Sequence, residues 1–336
     1  MTHIQTQTEK PYFIITAGPT ASGKTDLAMA LRQYLPVDII SVDSAQIYRN
    51  LDIGSAKADA ATLRKHPHRM IDIRDPSHAY SVAEFVVEAR QHMANITAAG
   101  RIPLLVGGTM LYFKMLFDGL SDLPEADQKV RQEIQLQADS VGWGMVYREL
   151  QKVDPLTASK LHPNHSQRIQ RALEVYKLTG VPLSTLQLES RGMGVNKDYN
   201  VVQIAMMASN RTLLHARIEE RFHCMIEQGL LAEVQSLYHR GDLTLDLPSI
   251  RAAGYQQLWR HLNGEYSLDD AVQKAIFASR QLAKRQITWL KKWSGSHEVY
   301  IDDQKRCYSS GIICNESLKI FRQHLILPAL HTGMVY

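Results

Sequence analysis

Gly18-Pro19-Thr20-Ala21-Ser22-Gly23-Lys24-Thr25 lies between an apolar run, Tyr12 to Ala17, and a helix-forming stretch, Asp26 to Leu31. A glycine-rich turn that joins a strand to a helix in this order is a P-loop. Its glycines let backbone amides turn inward around a phosphate, and Lys24 adds a point charge. The Thr25 hydroxyl can ligate Mg²⁺ beside a helix N-terminus that favours anions. The motif predicts a parallel α/β sheet and a polyphosphate or diphosphate bound at residues 18–25.

Outward from the loop, Pro36 to Asp43 reads as a second buried strand ending on an acid, followed by the polar turn Ser44-Ala45-Gln46. Ser81 and Glu84 form a capping box that opens a helix running to the stop at Gly100. Arg101 to Val106 is another strand, ending in Gly107-Gly108-Thr109 before a short helix, Leu111 to Phe117. Ligands of doubly wound sheets sit outside the strand C-termini, so these three small polar turns should converge. From Leu120 to Lys197 the strand signal disappears; one helix there, containing Gln167 to Tyr176, stops at Gly180. Asn200 to Met207 restores a strand, and helices follow at about 211–228, 230–240, 251–262 and 268–293. The expected architecture is a P-loop NTPase-like parallel sheet core flanked by helices, built from residues 1–119 and 198–302. An all-helical insertion domain spans 120–197, and 303–336 is a tail of weak pattern with no assigned role.

With 45% hydrophobic and 21% charged residues over 336 positions, the chain has the composition of a soluble globular protein. Its first ten residues lack a signal-peptide pattern, and no apolar run approaches the ~20 residues of a membrane span, so a cytoplasmic location is expected. Cys224, Cys307 and Cys314 lack C-x-x-C spacing and predict neither a disulfide framework nor a zinc site. The net charge of +4 decides nothing; its distribution says more, although a basic stripe also suits a solvated helix face. Pro155 to Leu173 and Val272 to Trp293 contain no acid. The first holds Lys160, His162, His165, Arg168 and Arg171; the second holds Lys274, Arg280, Lys284, Arg285, Lys291 and Lys292. Such stripes suit a phosphate backbone. No Asn-Lys-x-Asp base reader follows the P-loop, and Asp43 is the only acid ending a clear early strand. Two enzyme classes remain: a small-molecule kinase, or a transferase that grips a diphosphate leaving group. A non-catalytic RNA-binding module would leave the P-loop unexplained.

The ordered set Gly18–Thr25, Asp43-Ser-Ala-Gln-Ile-Tyr48, Asp52-Ile-Gly-Ser-Ala-Lys57, His68 with Asp72-Ile-Arg-Asp-Pro76, and Val106-Gly-Gly-Thr109 resembles the bacterial-type tRNA dimethylallyltransferases. Asp154-Pro155, His162-Pro-Asn164, Gln167-Arg168, Arg171 to Val175, Arg217 with Arg221, Arg251 with Gly254-Tyr255, and Ala283 to Trp289 continue the match in order. The resemblance covers about Tyr12 to Trp293. His165 stands where the family has Asp, and Ser166 is expected to cap the following helix instead. Met110 replaces a common Gly, Asn210 a common Asp, and Ser55 a Thr.

The resemblance implies transfer of the dimethylallyl group from dimethylallyl diphosphate to N6 of adenine 37 beside the tRNA anticodon, with Mg²⁺ and without NTP hydrolysis. It makes Asp43 the proton acceptor, with Thr109 and Lys24 as its catalytic partners. The diphosphate falls to Gly18, Pro19, Thr20, Ala21, Ser22, Gly23, Lys24, Thr25, Arg217 and Arg221, with Thr25 as metal ligand. The anticodon stem-loop falls first to Asp43, Ser44, Ala45, Gln46, Thr109, Arg131, Gln167, Arg168, Ile169, Gln170 and Arg171. Further contacts fall to Pro248, Ser249, Ile250, Arg251, Ala252, Ala253, Gln281, Leu282, Ala283, Lys284, Arg285, Gln286, Ile287 and Thr288. A monomer without membrane contact is expected, and Trp289 and Trp293 are read as core anchors.

Overall fold

The structure, a computed structural model, describes residues 10–119, 123–189 and 194–324. The unpatterned N-terminus before residue 10 and the last part of the expected tail, 325–336, lie outside it. The chain divides into two compact units, one of residues 1–113 and 198–336 and one of residues 114–197.

In the first unit the described strands form one parallel sheet: β1 (Tyr12–Ala17), β2 (Val37–Val42), β3 (His68–Arg69), β4 (Ile102–Gly107), β5 (Asn200–Met207) and β6 (Ser296–Tyr300), in the order β3-β2-β4-β1-β5-β6. The central strands are buried along nearly their whole length, as apolar strands covered on both faces must be. Register sets the site: Ala17 and Val42 both pair with Gly107, so β1, β2 and β4 end at one level. A Cβ on Gly107 would lie 2.0 Å from the Val42 carbonyl oxygen, so only glycine allows this approach.

The helices of this unit are α1 (Lys24–Leu31), α2 (Ala60–Lys65), α3 (Val82–Ala98), α4 (Met110–Asp118), then α10 (Arg211–Glu227), α11 (Leu230–Tyr238), α12 (Tyr255–Leu262), α13 (Leu268–Leu290) and α14 (Ser310–His324); the unit boundary falls within α4. The Ser81–Glu84 capping box forms, and the Asn210 side chain accepts from the Thr212 amide, capping α10 as an Asp would. Four elements went unforeseen, among them the short α2, which has no buried position to reveal a period. β3 has two residues, and β6 reads Ser-His-Glu-Val-Tyr with one buried position, too short or too polar to show a period. Within the expected tail, α14 packs on α1 and β6 through a face that includes the buried Ile313, Leu318 and Phe321.

The second unit is helical throughout its described residues beyond α4: α5 (Gln128–Val141), α6 (Trp143–Val153), α7 (Pro155–Ala158), α8 (Ser166–Thr179) and α9 (Leu183–Glu189). Ile134, Val146, Leu150, Ile169, Leu173 and Val175 form its core. Gly180 ends α8 in the left-handed conformation that favours glycine. Ser166 does not cap α8; His165 occupies the cap position, and its Nδ1 accepts from the His162 amide. Among the described residues of both units, no helix is long and apolar enough to cross a membrane.

Candidate active site

The three polar turns meet at the C-terminal edge of the sheet. The Gly18 amide donates to the Gly107 carbonyl at 3.4 Å, the Thr109 amide to the Val42 carbonyl at 3.2 Å, and the Ser44 amide to the Thr109 hydroxyl at 3.0 Å. Within the P-loop, Ala21 and Gly23 adopt positive φ, and Gly23 caps α1. The Ser22 hydroxyl is buried and has no protein partner among the described residues. An unpartnered buried donor inside such a loop fits a phosphate oxygen.

Charges of opposite sign crowd the loop. The Lys24 ammonium donates to the Pro19 carbonyl at 2.7 Å, and its pKa is lowered to about 8. Burial is the main cause, and Arg221 adds to it while Asp43 opposes it. Arg221 is itself lowered by burial, with Asp43 and Asp26 pulling the other way and Arg217 repelling. A side-chain carbon at Gly23 would lie 3.8 Å from Nη2 of Arg217. Lys24, Arg217 and Arg221 thus form a partly desolvated cationic group beside the loop, and such cations attract a polyanion more strongly than they would in water.

Asp43 follows β2. Its Oδ1 accepts from the Ala45 amide at 2.8 Å and the Gln46 amide at 3.3 Å, while Oδ2 has no hydrogen-bond partner among the described residues. The turn orients the carboxylate with one oxygen and leaves the other for chemistry. The Gln46 side chain, in contrast, is committed inward: it accepts from the Ser41 hydroxyl and donates to the Ser55 and Ala56 carbonyls.

A cavity of about 530 Å³ opens beside Arg221, with Ile53, Ala56, Leu63 and Met225 on its apolar wall and Lys57 on its polar one. The Lys57 ammonium bonds Asp52 at 2.6 Å, Asp72 at 2.5 Å and the Tyr48 carbonyl at 2.6 Å. The loop forming this wall is held by a residue the sequence did not single out. Glu233 accepts from the consecutive amides of Asp52 (3.0 Å), Ile53 (2.8 Å) and Gly54 (3.3 Å), and from the Tyr255 hydroxyl (2.6 Å). A Cβ on Gly54 would meet the Tyr255 ring at 2.7 Å.

The residues expected to contact RNA separate by exposure into three groups. Ser44, Arg251, Pro248, Lys284, Arg285 and Thr288 are exposed in the first unit, and Gln167 and Arg168 in the second. Ala45, Thr109, Ala252, Ala253, Gln281 and Leu282 are half-buried. Ile169, Ser249, Ile250, Ala283, Gln286 and Ile287 are buried and do not present their side chains to the surface; for Ile169, Ala283, Gln286 and Ile287 the reason is that a helix turns part of any continuous run inward. The Ser249 hydroxyl instead ties down the Pro76 carbonyl at 2.7 Å. In the second unit Arg131 and Arg171 are engaged by the fully buried Glu174, at 2.8 and 2.6 Å, and the Gln170 amide bonds the Arg131 carbonyl. Burial alone would raise the Glu174 pKa; the two guanidinium contacts overcome it and hold the carboxylate below its ordinary value. Arg131 thereby locks α5 to α8, and Arg171, on α8 with Glu174, also donates to the Pro124 carbonyl ahead of α5. Arg280 is likewise paired, to Glu219 at 2.7 Å. Trp289 is no core anchor: it is 40% exposed, while Trp293 packs on Phe113 with ring centroids 5.4 Å apart.

A Gly-rich loop between a central strand and a helix of a parallel sheet, with a carboxylate at the end of β2 on the same edge, is the architecture of a P-loop protein. The family described as IPP transferase matches residues 46–293. Two solved structures span nearly the whole chain: a tRNA isopentenylpyrophosphate transferase from Bacillus halodurans (35% identity, 94% of this chain and 98% of that one, TM-score 0.63) and a tRNA delta(2)-isopentenylpyrophosphate transferase from Staphylococcus epidermidis (32%, 94% and 99%, TM-score 0.64). A eukaryotic dimethylallyltransferase acting on tRNA aligns at 27% identity over 88% of this chain and 75% of that one, with a TM-score of 0.75. The chain belongs to the IPP transferase family and is a prenyltransferase. The matched range begins after the P-loop, so the family match does not itself cover residues 18–25.

Proposed function

We propose that this enzyme transfers the dimethylallyl group of dimethylallyl diphosphate to N6 of adenine 37 in tRNA, as a cytoplasmic monomer. The observation that carries the reading is the half-free carboxylate of Asp43 standing within electrostatic reach of Lys24 and Arg221 at the P-loop. In the reaction the N6 lone pair forms a bond to C1 of the prenyl group while the C1–O bond breaks and its electrons leave on diphosphate. An exocyclic amine is a weak nucleophile, so its proton must be accepted as the bond forms. Oδ2 of Asp43 accepts it, and the turn around Oδ1 keeps that oxygen aimed. The negative charge that develops on the leaving group meets Lys24, Arg217, Arg221 and the P-loop amides, already oriented and partly desolvated.

Thr25, the second residue of α1, has a hydroxyl without a hydrogen bond among the described residues. This hard oxygen suits Mg²⁺, which commonly takes few protein ligands and completes its shell with water and substrate phosphates. When bound, the ion would neutralise charge on the departing diphosphate; Thr25 is the residue that would hold it.

The test is label transfer from radiolabelled dimethylallyl diphosphate to an anticodon-loop transcript with adenine 37, beside one with guanine 37, each with and without ATP. Transfer to the first alone, indifferent to ATP, supports the reading. Transfer that depends on ATP, or that ignores position 37, overturns it.

RNA contact is assigned to the exposed cations. Changing Lys284 and Arg285 together to Gln is expected to weaken tRNA binding and reduce the log K against log salt slope by up to about two, at 0.7–0.9 counterion per contact. The KM for dimethylallyl diphosphate should not change. An unaltered salt slope, measured by filter binding between 50 and 200 mM salt, would remove this face of α13 from the RNA site.

A further inference from the structure

Gln286 is a buried residue on α13 whose amide bonds two loops far away in sequence. Its Oε1 accepts from the Thr20 amide at 2.9 Å, and its Nε2 donates to the Gly108 carbonyl at 2.9 Å. One side chain therefore joins the P-loop after β1 to the Gly-Gly-Thr turn after β4. The two partners, one donor and one acceptor, fix which way the amide faces. Gly108 makes the contact possible, since a Cβ there would sit 2.3 Å from Nε2 of Gln286.

The contact bears on both halves of the reaction centre. On the P-loop side, the Thr20 N–H points to Gln286 and is withheld from the phosphate cradle, which selects the amides left to face a ligand. On the other side, the Gly108 carbonyl precedes Thr109, whose hydroxyl accepts from the Ser44 amide next to Asp43. A change in the spacing of these loops would change the distance between the diphosphate cradle and the base.

We propose that Gln286 is a positioning residue that fixes the diphosphate loop against the Thr109–Asp43 turn, and that it serves the prenyl donor and not the RNA. The proposal rests on the P-loop being the diphosphate site. It separates Gln286 from its neighbours Lys284 and Arg285, which are exposed on the same helix.

The experiment compares Gln286→Met, Gly108→Ala and the double variant in the full chain. Inorganic diphosphate binding is measured by calorimetry, tRNA binding by filter retention, and transfer by label. Gln286→Met is expected to weaken diphosphate binding at least tenfold and to lower kcat/KM for the donor by about 10²-fold, the scale of a misplacement of about 1 Å. Its Kd for tRNA should stay within twofold of wild type. Gly108→Ala should reproduce these losses, and the double variant should cost little more than either change alone, because both break one contact. Unchanged diphosphate binding in Gln286→Met, or a loss confined to tRNA, overturns the proposal. Strict additivity in the double variant overturns it too. If Gln286→Met fails to fold, Gly108→Ala decides alone: it approaches the same contact from the other loop, and wild-type diphosphate binding there overturns the proposal. A wild type that binds no diphosphate would fail the P-loop reading itself, whatever Gln286 does.

Discussion

Asp43→Asn is expected to lower kcat by about 10²–10⁴-fold, the usual contribution of a positioned general base, while leaving tRNA affinity essentially unchanged. Asparagine is the informative replacement. Its carbonyl oxygen can still accept from the Ala45 and Gln46 amides, so the turn survives and only the proton-accepting oxygen is lost. A second effect follows from the neighbouring charges. Asp43 opposes the depression of the Lys24 pKa, so its removal should move the loss of the Lys24 proton to lower pH. Single-turnover transfer with saturating donor measures the first effect. A rate within threefold of wild type would take Asp43 out of the mechanism.

Lys24→Met is expected to reduce kcat/KM for dimethylallyl diphosphate by about 10²–10³-fold, comparable to deleting one preorganised donor to a developing anion. The pH dependence gives a sharper signature. In the free enzyme the Lys24 pKa lies at about 8, below the ordinary 10.5, because burial disfavours the charged form. Diphosphate prefers the charged form. Donor capture by the wild type should therefore fade as pH rises through about 8, approaching tenfold per unit above it, and Lys24→Met should lack this limb. The linked stability effect has the opposite sense: the cost of the buried ammonium is present below pH 8 and is relieved between 8 and 10.5, where the unfolded chain holds the proton that the folded chain has released. A kcat/KM profile for the donor that stays flat to pH 9.5 would show that Lys24 does not carry the phosphate charge.

The meeting of the three polar turns at the C-terminal edge of the sheet was legible because local chemistry specifies it. A strand followed by a small polar turn can be read at Gly18, Asp43 and Gly107 without knowing what pairs with what, and strand register then brings the turns together. Two kinds of feature were not legible, and a third was legible in part but not read. Partners distant in sequence leave no local trace, as with Glu174 and Arg131, 43 residues apart, or Glu233 and the Ile53 amide, 180 apart. Edge elements such as β3 and β6 are too short for a period to emerge. Interior members of recognition runs could have been separated by helical spacing: Ile169 lies between the exposed Arg168 and the half-buried Gln170, and Gln286 follows Arg285 onto the inner face of α13. Ser249 and Ile250 required the fold, because the loop that buries them has no period.

The carboxylate of Glu233 gives the cavity wall a property that a substrate would otherwise have to supply. Three adjacent backbone N–H groups are an attractive landing place for any anion, and here a side chain from α11 already occupies it. A stray phosphate finds that place taken. The same loop needs no ligand to become ordered. The wall is already shaped, and any ligand that fills the cavity forgoes the entropy that a mobile loop would lose on closing.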